Sequence, residues 1–197
     1  DSFTSSGLVQ HVADFQQQHP GVVVELNVNN SYVNFTRMDA DITVRPAPQL
    51  PDDMAGERVC DLQMQVYGTR RYLAENPGNS FSAHKWLGVA PPISSSMVGS
   101  WQETNLPAQM IFLKSSSFVS LRDVAESGLG LALLPCCLGD PSPHLERAKN
   151  FPEGLTTSVW VATHKDMTGS SRGQSILNWF VDAVRQDADL FEGRLNG

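Results

Sequence analysis

Residues 125–135 have the sequence AESGLGLALLP, in which a mixed polar and apolar segment is followed by an uninterrupted apolar run. Residues 115–117, all serines, precede this segment and can cap a helix, and Gly128 stands where that helix would end. Residues 129–135 are wholly apolar, which predicts a strand buried on both faces of a sheet. A helix followed by a central strand is typical of α/β proteins.

Further strands and helices are predicted on both sides of this stretch. Residues 57–67 place apolar side chains at alternate positions, which predicts a long strand with one solvent-facing side. Thr69 can cap a short helix over residues 70–76, and the last helix begins near Ser170. The other predicted strands, most of them rich in β-branched or apolar residues, are residues 22–28, 41–45, 86–89, 109–113 and 156–163.

Composition and charge argue against several classes of function. The 197 residues carry a formal net charge of −7, so the surface as a whole repels the DNA backbone, and we expect no DNA binding by this chain. The sequence contains no apolar run long enough to span a bilayer and no N-terminal signal-peptide pattern. Three cysteines, two of them adjacent, do not resemble a disulfide framework and favour a reducing cytoplasm.

The sequence contains no persuasive pattern for catalysis or metal binding. The chain has no P-loop, no GxGxxG after a strand and no GxSxG elbow. Its five histidines are scattered, and none is paired with a cysteine or an acid at metal-ligand spacing. We therefore expect neither catalytic residues, metal nor cofactor. A small transferase or deaminase on a similar fold is the alternative, and it would need a catalytic group assembled only in space.

Two loops rich in hydroxyl groups, residues 1–6 and 115–117, each precede a predicted helix. Free N–H groups at a helix start attract anions, and serine hydroxyls add donors. Ligands of open α/β sheets lie beyond the carboxyl ends of the strands, so two such loops facing each other predict a small polar pocket. The alternative is that these serines only cap their helices.

Two more side chains are candidates for the same pocket. Arg45 ends the predicted strand at residues 41–45 and could pair with a ligand carboxylate. An internal salt bridge or a solvated side chain is the alternative for this arginine. Phe118 could form a wall of the pocket or belong to the core.

Several segments, taken in order, resemble the effector-binding domain of LysR-type transcription regulators. Residues 39–45, DADITVR, resemble the family's ADIAIR strand, and residues 67–74, YGTRRYLA, resemble its ASPAYLA crossover. The most specific likeness is between residues 125–135 and the family's AGLGIALLP segment, with LGD soon after at residues 138–140. Residues 15–26 resemble the pattern F...HPxVxLEL. The resemblance covers nearly the whole chain.

The resemblance implies an α/β fold of two Rossmann-like lobes joined by two crossover strands, like a periplasmic binding protein. The first lobe would comprise residues 1–66 and 164–197, and the second residues 67–163. The family's winged helix-turn-helix domain is absent from this sequence, as is the first strand that should lead into Asp1. The protein would be cytoplasmic and not bound to a membrane, and DNA would be contacted only through the absent N-terminal domain.

The resemblance also implies an effector in the cleft between the lobes, and the hydroxyl-rich stretches predict that it is small and polar, with an anion as one option. The resemblance further implies that the protein forms an antiparallel homodimer, in which residues 8–19 lie against the helix after Ser117 of the second copy. The full-length protein would be a tetramer. The effector contacts implied by the family are Ser2, Phe3, Thr4, Asn30, Ser31, Ser116, Ser117 and Phe118, and we add Arg45 to them.

A periplasmic solute-binding protein of a transporter is the main alternative, because it shares the two-lobed cleft architecture. The segments at residues 39–45 and 125–135 favour the regulator.

Overall fold

The computed structural model describes residues 1–30, 40–78, 80–149, 151 and 155–194, and these contain seven strands and seven α-helices. The strands are β1 (Thr43–Pro46), β2 (Met54–Thr69), β3 (Trp86–Val89), β4 (Ile111–Ser115), β5 (Leu131–Pro135), β6 (Leu145–Arg147) and β7 (Thr156–His164). The helices are α1 (Val9–Gln18), α2 (Arg70–Glu75), α3 (Met97–Asn105), α4 (Phe118–Glu126), α5 (Cys136–Gly139), α6 (Ser171–Gln186) and α7 (Ala188–Phe191). A π-helical segment, Thr4–Leu8, leads into α1, and 3-10 turns cover Phe81–Ala83, Ile93–Ser95, Ala108–Met110 and Lys165–Gly169.

Strand β2 takes part in two groups of strands. Its residues 54–63 pair antiparallel with β7, which also pairs with β1. Its residues 64–69 pair antiparallel with β5 and β6. Strand β3 lies between β5 and β4 and is parallel to both. The chain therefore builds two α/β units that share β2, and the long strand predicted at residues 57–67 is confirmed.

Helix boundaries follow from the residues at their ends. The side chain of Ser117 accepts a hydrogen bond from the backbone N–H of Ser120 at 3.1 Å and begins α4. Thr69 accepts from the N–H of Tyr72 at 3.1 Å and begins α2 in the same way. Each cap of this kind contributes about 1 kcal/mol. Gly128 has φ +77°, a left-handed conformation that suits glycine just beyond a helix end.

Strand β5 is buried at all five positions, as its apolar sequence predicts. It lies between β2 and β3, with α4 packed against it. One cluster of buried apolar side chains continues from this strand to α1 and α6 of the other unit. None of the helices in the described ranges has the length and apolar character needed to cross a membrane.

The prediction of a strand at residues 22–28 is wrong. These residues have no regular secondary structure, and they pair with no strand in the described part of the chain. Val22 and Val24 still pack against the core, whereas Val23 between them is 92% exposed. The alternation of buried and exposed side chains is therefore present, but β-branched residues form a strand only where a neighbouring strand can pair with them.

The prediction of a loop at residues 1–6 is also wrong. The chain is helical from Ser2 and continues into the π-helical segment Thr4–Leu8. Gly7 interrupts this segment with φ +118°, a conformation that L side chains rarely adopt. The helix is therefore kinked between its first turn and α1. The serines at its start lie within the helix and do not cap it through their side chains.

Candidate ligand-binding site

The Asp1 carboxylate joins the start of the first helix to the start of α4. Its Oδ2 accepts a hydrogen bond from Ser117 Oγ at 2.5 Å and a second from Asn30 Nδ2 at 3.0 Å. The three residues come from separate segments of the chain, and Ser117 is 116 positions away from Asp1. The two hydroxyl-rich stretches identified in the sequence are therefore brought together in the fold.

Asn30 completes this contact between the two units. Its Nδ2 also donates to the carbonyl oxygen of Ser116 at 3.2 Å, and its Oδ1 accepts from the backbone nitrogen of Asp1 at 2.8 Å. The amide of Asn30 thus uses both its donor and its acceptor atoms in holding the two units against each other.

The hydroxyls of Ser2 and Thr4 lie on the first-helix side of this cluster. Ser2 is buried, and its Oγ donates to Asp1 Oδ1 over 3.4 Å, a long and weak contact. Thr4 Oγ1 donates to the Asp1 carbonyl oxygen at 2.7 Å, so this hydroxyl already satisfies a backbone acceptor. Phe3 lies in the core, with its ring 5.2 Å from that of Phe191.

The remaining predicted contacts differ in where they lie. Phe118, the first residue of α4, is buried in the core cluster. Arg45 is half-buried on β1, in register with Trp160 of β7. Ser31 lies outside the described residues. The structure thus brings Ser2, Asn30, Ser116 and Ser117 around Asp1.

Asp1 is the residue that sequence reasoning missed. An acidic side chain at the start of a helix is ordinarily read as a partner of the helix dipole. Its contact with Ser117 depends on the packing of one unit against the other, and the local sequence carries no signal for that. The fold alone assigns it.

A cavity of about 360 Å³ adjoins the same first helix turn. Its lining includes Ser5 and Ser6, and also Arg122 and Glu126 of α4. The two charged side chains are 3.9 Å apart, and Glu126 also accepts from Ser142 Oγ at 2.7 Å. This cavity is therefore lined by groups that already bond to one another.

A second cavity, of about 350 Å³, adjoins a buried ionic network. Asp140 accepts from Tyr67 Oη at 2.7 Å and from Arg147 at 2.8 and 2.5 Å. Burial raises the pKa of Tyr67, and the hydrogen bond to Asp140 raises the pKa of Arg147. Arg147 also donates to the carbonyl oxygen of Gly193 at 2.7 Å, which ties the segment after α7 to β6. The network is a structural tie between the C-terminal segment and the unit that contains β6.

All three cysteines are buried and free. Burial raises the pKa of Cys136 to about 11 and the pKa values of Cys60 and Cys137 to about 12. Within the described ranges, no group of three His, Cys, Asp or Glu side chains could hold a metal ion.

Thiol labelling tests whether the three cysteines are buried and have raised pKa values. Because the thiolate is the reactive form, a pKa of 11 or more should slow labelling by Ellman's reagent at pH 8 at least about a hundredfold relative to the unfolded chain. All three thiols should react promptly once the protein is unfolded in guanidinium. A thiol of the folded protein that reacts as fast as in the unfolded chain would contradict the assignment.

The LysR substrate binding domain family matches residues 1–189. The chain belongs to this family. No curated protein matches this LysR substrate binding domain significantly in sequence.

Solved structures give the same fold for the LysR substrate binding domain described above. The effector domain of AmpR from Pseudomonas aeruginosa is 19% identical, with a TM-score of 0.73 over 100% of this chain and 96% of that one. The regulatory domain of CrgA from Neisseria meningitidis is 18% identical, with a TM-score of 0.75 over 92% and 93% of the two chains. The Synechocystis PCC6803 CcmR regulatory domain, solved in complex with 2-PG, is 18% identical, with a TM-score of 0.72 over 94% of each chain. The predicted two-lobed, periplasmic-binding-protein-like α/β fold is thereby confirmed.

Proposed function

We propose that this LysR substrate binding domain binds a small polar effector between its two lobes and so regulates transcription. The observation that carries the proposal is the meeting of Asp1, Asn30 and Ser117 across the two hydroxyl-rich stretches. Polar donors and acceptors that converge from separate elements are what a small-molecule site needs for orientation and specificity. The complex of CcmR with 2-PG supports the idea that this fold can hold a small molecule.

The proposed contacts differ in the role that each can take. Ser116 and Ser117 would offer donors from one lobe, and Asn30 would bridge to the other. Phe3 and Phe118 are buried, so we assign them the apolar backing of the site. The polar contacts proposed on the first-lobe side are Ser2, Thr4, Ser31 and Arg45.

The division into residues 1–66 with 164–197 and residues 67–163 stays a prediction. Strand β2 changes its pairing partners between Gln63 and Met64, which supports a first boundary close to that position. Strand β7 (Thr156–His164) pairs with β1 and with the first part of β2, and the second predicted boundary lies at its C-terminal end.

We further propose that the protein is a cytoplasmic regulator without catalytic activity, and that a separate domain contacts DNA. The family match supports a regulator over a solute-binding protein of a transporter. A homodimer in which residues 8–19 face α4 of the second copy, and a tetramer of the full-length protein, remain proposals from the family.

Replacing Ser117 by leucine tests the position of the site. The bulky side chain should block the effector, and the loss of each neutral hydrogen bond should weaken binding by about 0.5–1.5 kcal/mol. Small carboxylates, amino acids and aromatic compounds are first screened by thermal shift. An effector at a hundred times its dissociation constant should stabilise the wild type by about 2.7 kcal/mol. Titration calorimetry then compares the dissociation constants of wild type and variant.

Two matched variants test whether the effect depends on the Ser117 hydroxyl and on the position of the replacement. Ser117→Thr keeps both the hydroxyl and the cap and should retain binding. Ser175→Leu makes the same replacement at an exposed position of α6 and should also bind like the wild type. Equal affinity of Ser117→Leu and wild type would show that the pocket lies elsewhere.

A further inference from the structure

The Asp1 carboxylate occupies the donors that an effector would need. Ser117 Oγ donates a hydrogen bond to its Oδ2. Asn30 Nδ2 adds a second donor to the same oxygen at 3.0 Å, so two segments converge on one carboxylate oxygen. In the protein described here, the predicted effector donors are already engaged by an acid of the protein itself.

We propose that Asp1 is an internal occupant of the effector site, and that the site takes a small carboxylate that displaces it. This inference rests on the proposed function, because it concerns the same site. A ligand that uses Ser117 and Asn30 must supply an acceptor in place of the Asp1 oxygen. Hydrogen bonds to an ionised acceptor are about twice as strong as bonds to a neutral one. A ligand carboxylate therefore compensates for the hydrogen bonds that Ser117 and Asn30 lose from Asp1, whereas a neutral acceptor does not.

Repulsion between the ligand carboxylate and the Asp1 carboxylate determines whether the Asp1 side chain can stay in place. Two carboxylates that approach within hydrogen-bond distance of the same donor repel each other, because water screens their charges only partly at such a site. Both cannot share Ser117 Oγ, so the side chain of Asp1 must leave as the ligand enters. The contact between the first helix turn and α4 is then carried by the ligand. Asp1 is thus a specificity-determining residue, because it competes with the ligand and sets the charge that the ligand must carry.

The opposite arrangement would favour another class of ligand. If Asp1 stayed in place and faced the ligand directly, it would act as a counter-ion for an amine. The two arrangements predict opposite effects of neutralising Asp1. Removing a competitor strengthens the binding of carboxylates, whereas removing a counter-ion weakens the binding of amines.

The experiment compares wild type with Asp1→Asn, which keeps the shape of the side chain and removes its charge. Acetate, succinate and benzoate serve as carboxylates, ethylamine and putrescine as amines, and glycerol as a neutral compound. Dissociation constants are measured by thermal shift and titration calorimetry. We expect Asp1→Asn to bind at least one carboxylate about tenfold more tightly than the wild type, with no gain for amines or glycerol.

Two further variants link the gain to the site. Asp52→Asn makes the same change of charge at an exposed position before β2 and should bind like the wild type. Asp1→Asn combined with Ser117→Ala should lose the gain, because the vacated donor is no longer there. Circular dichroism melting curves show that each variant is folded.

Each outcome supports or overturns the proposal. It is overturned if no carboxylate binds Asp1→Asn more tightly than wild type, or if amines bind the wild type and lose affinity in Asp1→Asn. An effector that binds wild type, is blocked by Ser117→Leu and is indifferent to Asp1→Asn would leave the proposed function standing and remove the role of Asp1. A gain equal in Asp52→Asn would mean a general effect of charge and would also overturn it.

Discussion

Replacing Asp140 by alanine should lower the free energy of unfolding by about 3 kcal/mol, the lower end of the range for breaking a buried ion pair. The side chain of Asp140 is 3% exposed, and it accepts hydrogen bonds from Tyr67 and twice from Arg147. Alanine would leave the buried Tyr67 hydroxyl and the Arg147 guanidinium without this acceptor. Because the side chain of Arg147 is 33% exposed, water can solvate part of its charge and limit the loss.

Urea unfolding followed by circular dichroism measures this change. Asp123→Ala is the matched control, since Asp123 pairs with Arg122 at 2.8 Å but its side chain is 58% exposed. That replacement should change the free energy of unfolding by less than about 0.5 kcal/mol. Asp140→Asn should fall between the two, because an amide oxygen can still accept from Tyr67. Equal losses for Asp140→Ala and Asp123→Ala would show that the network contributes no more than a surface pair.

The strands and helices that could be predicted are those whose burial or capping is evident from the local pattern of residues. The alternation of apolar and polar residues over residues 57–67 predicted β2, because every second side chain of a strand points to the same face of the sheet. The apolar run gave β5, and Thr69 and Ser117 gave two helix starts, because a cap is a contact between residues three positions apart. Such signals are local, so a single sequence contains them.

The prediction of a strand at residues 22–28 is wrong because strand formation here depends on a contact that the local sequence does not show. Its valines have the composition of a strand, but pairing is a property of two segments and not of one. The buried positions of Val22 and Val24 followed the alternation, whereas the backbone found no partner strand in the described chain.

The candidate site divides in the same way. Residues Asn30, Ser116 and Ser117 could be named from the resemblance to LysR-type regulators, and the structure brings them together. The role of Asp1 could not be predicted, because it depends on donors 29 and 116 positions away along the chain. A long-range contact of this kind is set by how the two lobes pack.

Replacing Trp86 by alanine should lower the free energy of unfolding by about 3–5 kcal/mol, the range for removing a large aromatic side chain from a core. Trp86 is fully buried, and the rings of Phe81, Trp101 and Phe151 lie 5.6–6.0 Å from its own. Its Nε1 also donates to the carbonyl oxygen of Phe81 at 2.9 Å. Alanine would remove all three ring contacts and leave that carbonyl without this donor.

The same urea experiment compares Trp86→Ala with Trp179→Ala, a half-exposed tryptophan on α6. Trp86→Ala should shift the midpoint of unfolding far more, and equal shifts would contradict the role assigned to Trp86 in the core.

The loss of the Trp86 side chain should also affect effector binding at the candidate site. Trp86 pairs in register with Ile111 of β4 and Leu131 of β5, and β4 leads directly to Ser117. A cavity at Trp86 should therefore loosen the strand that positions Ser117, so any effector should bind this variant more weakly than it binds Trp179→Ala.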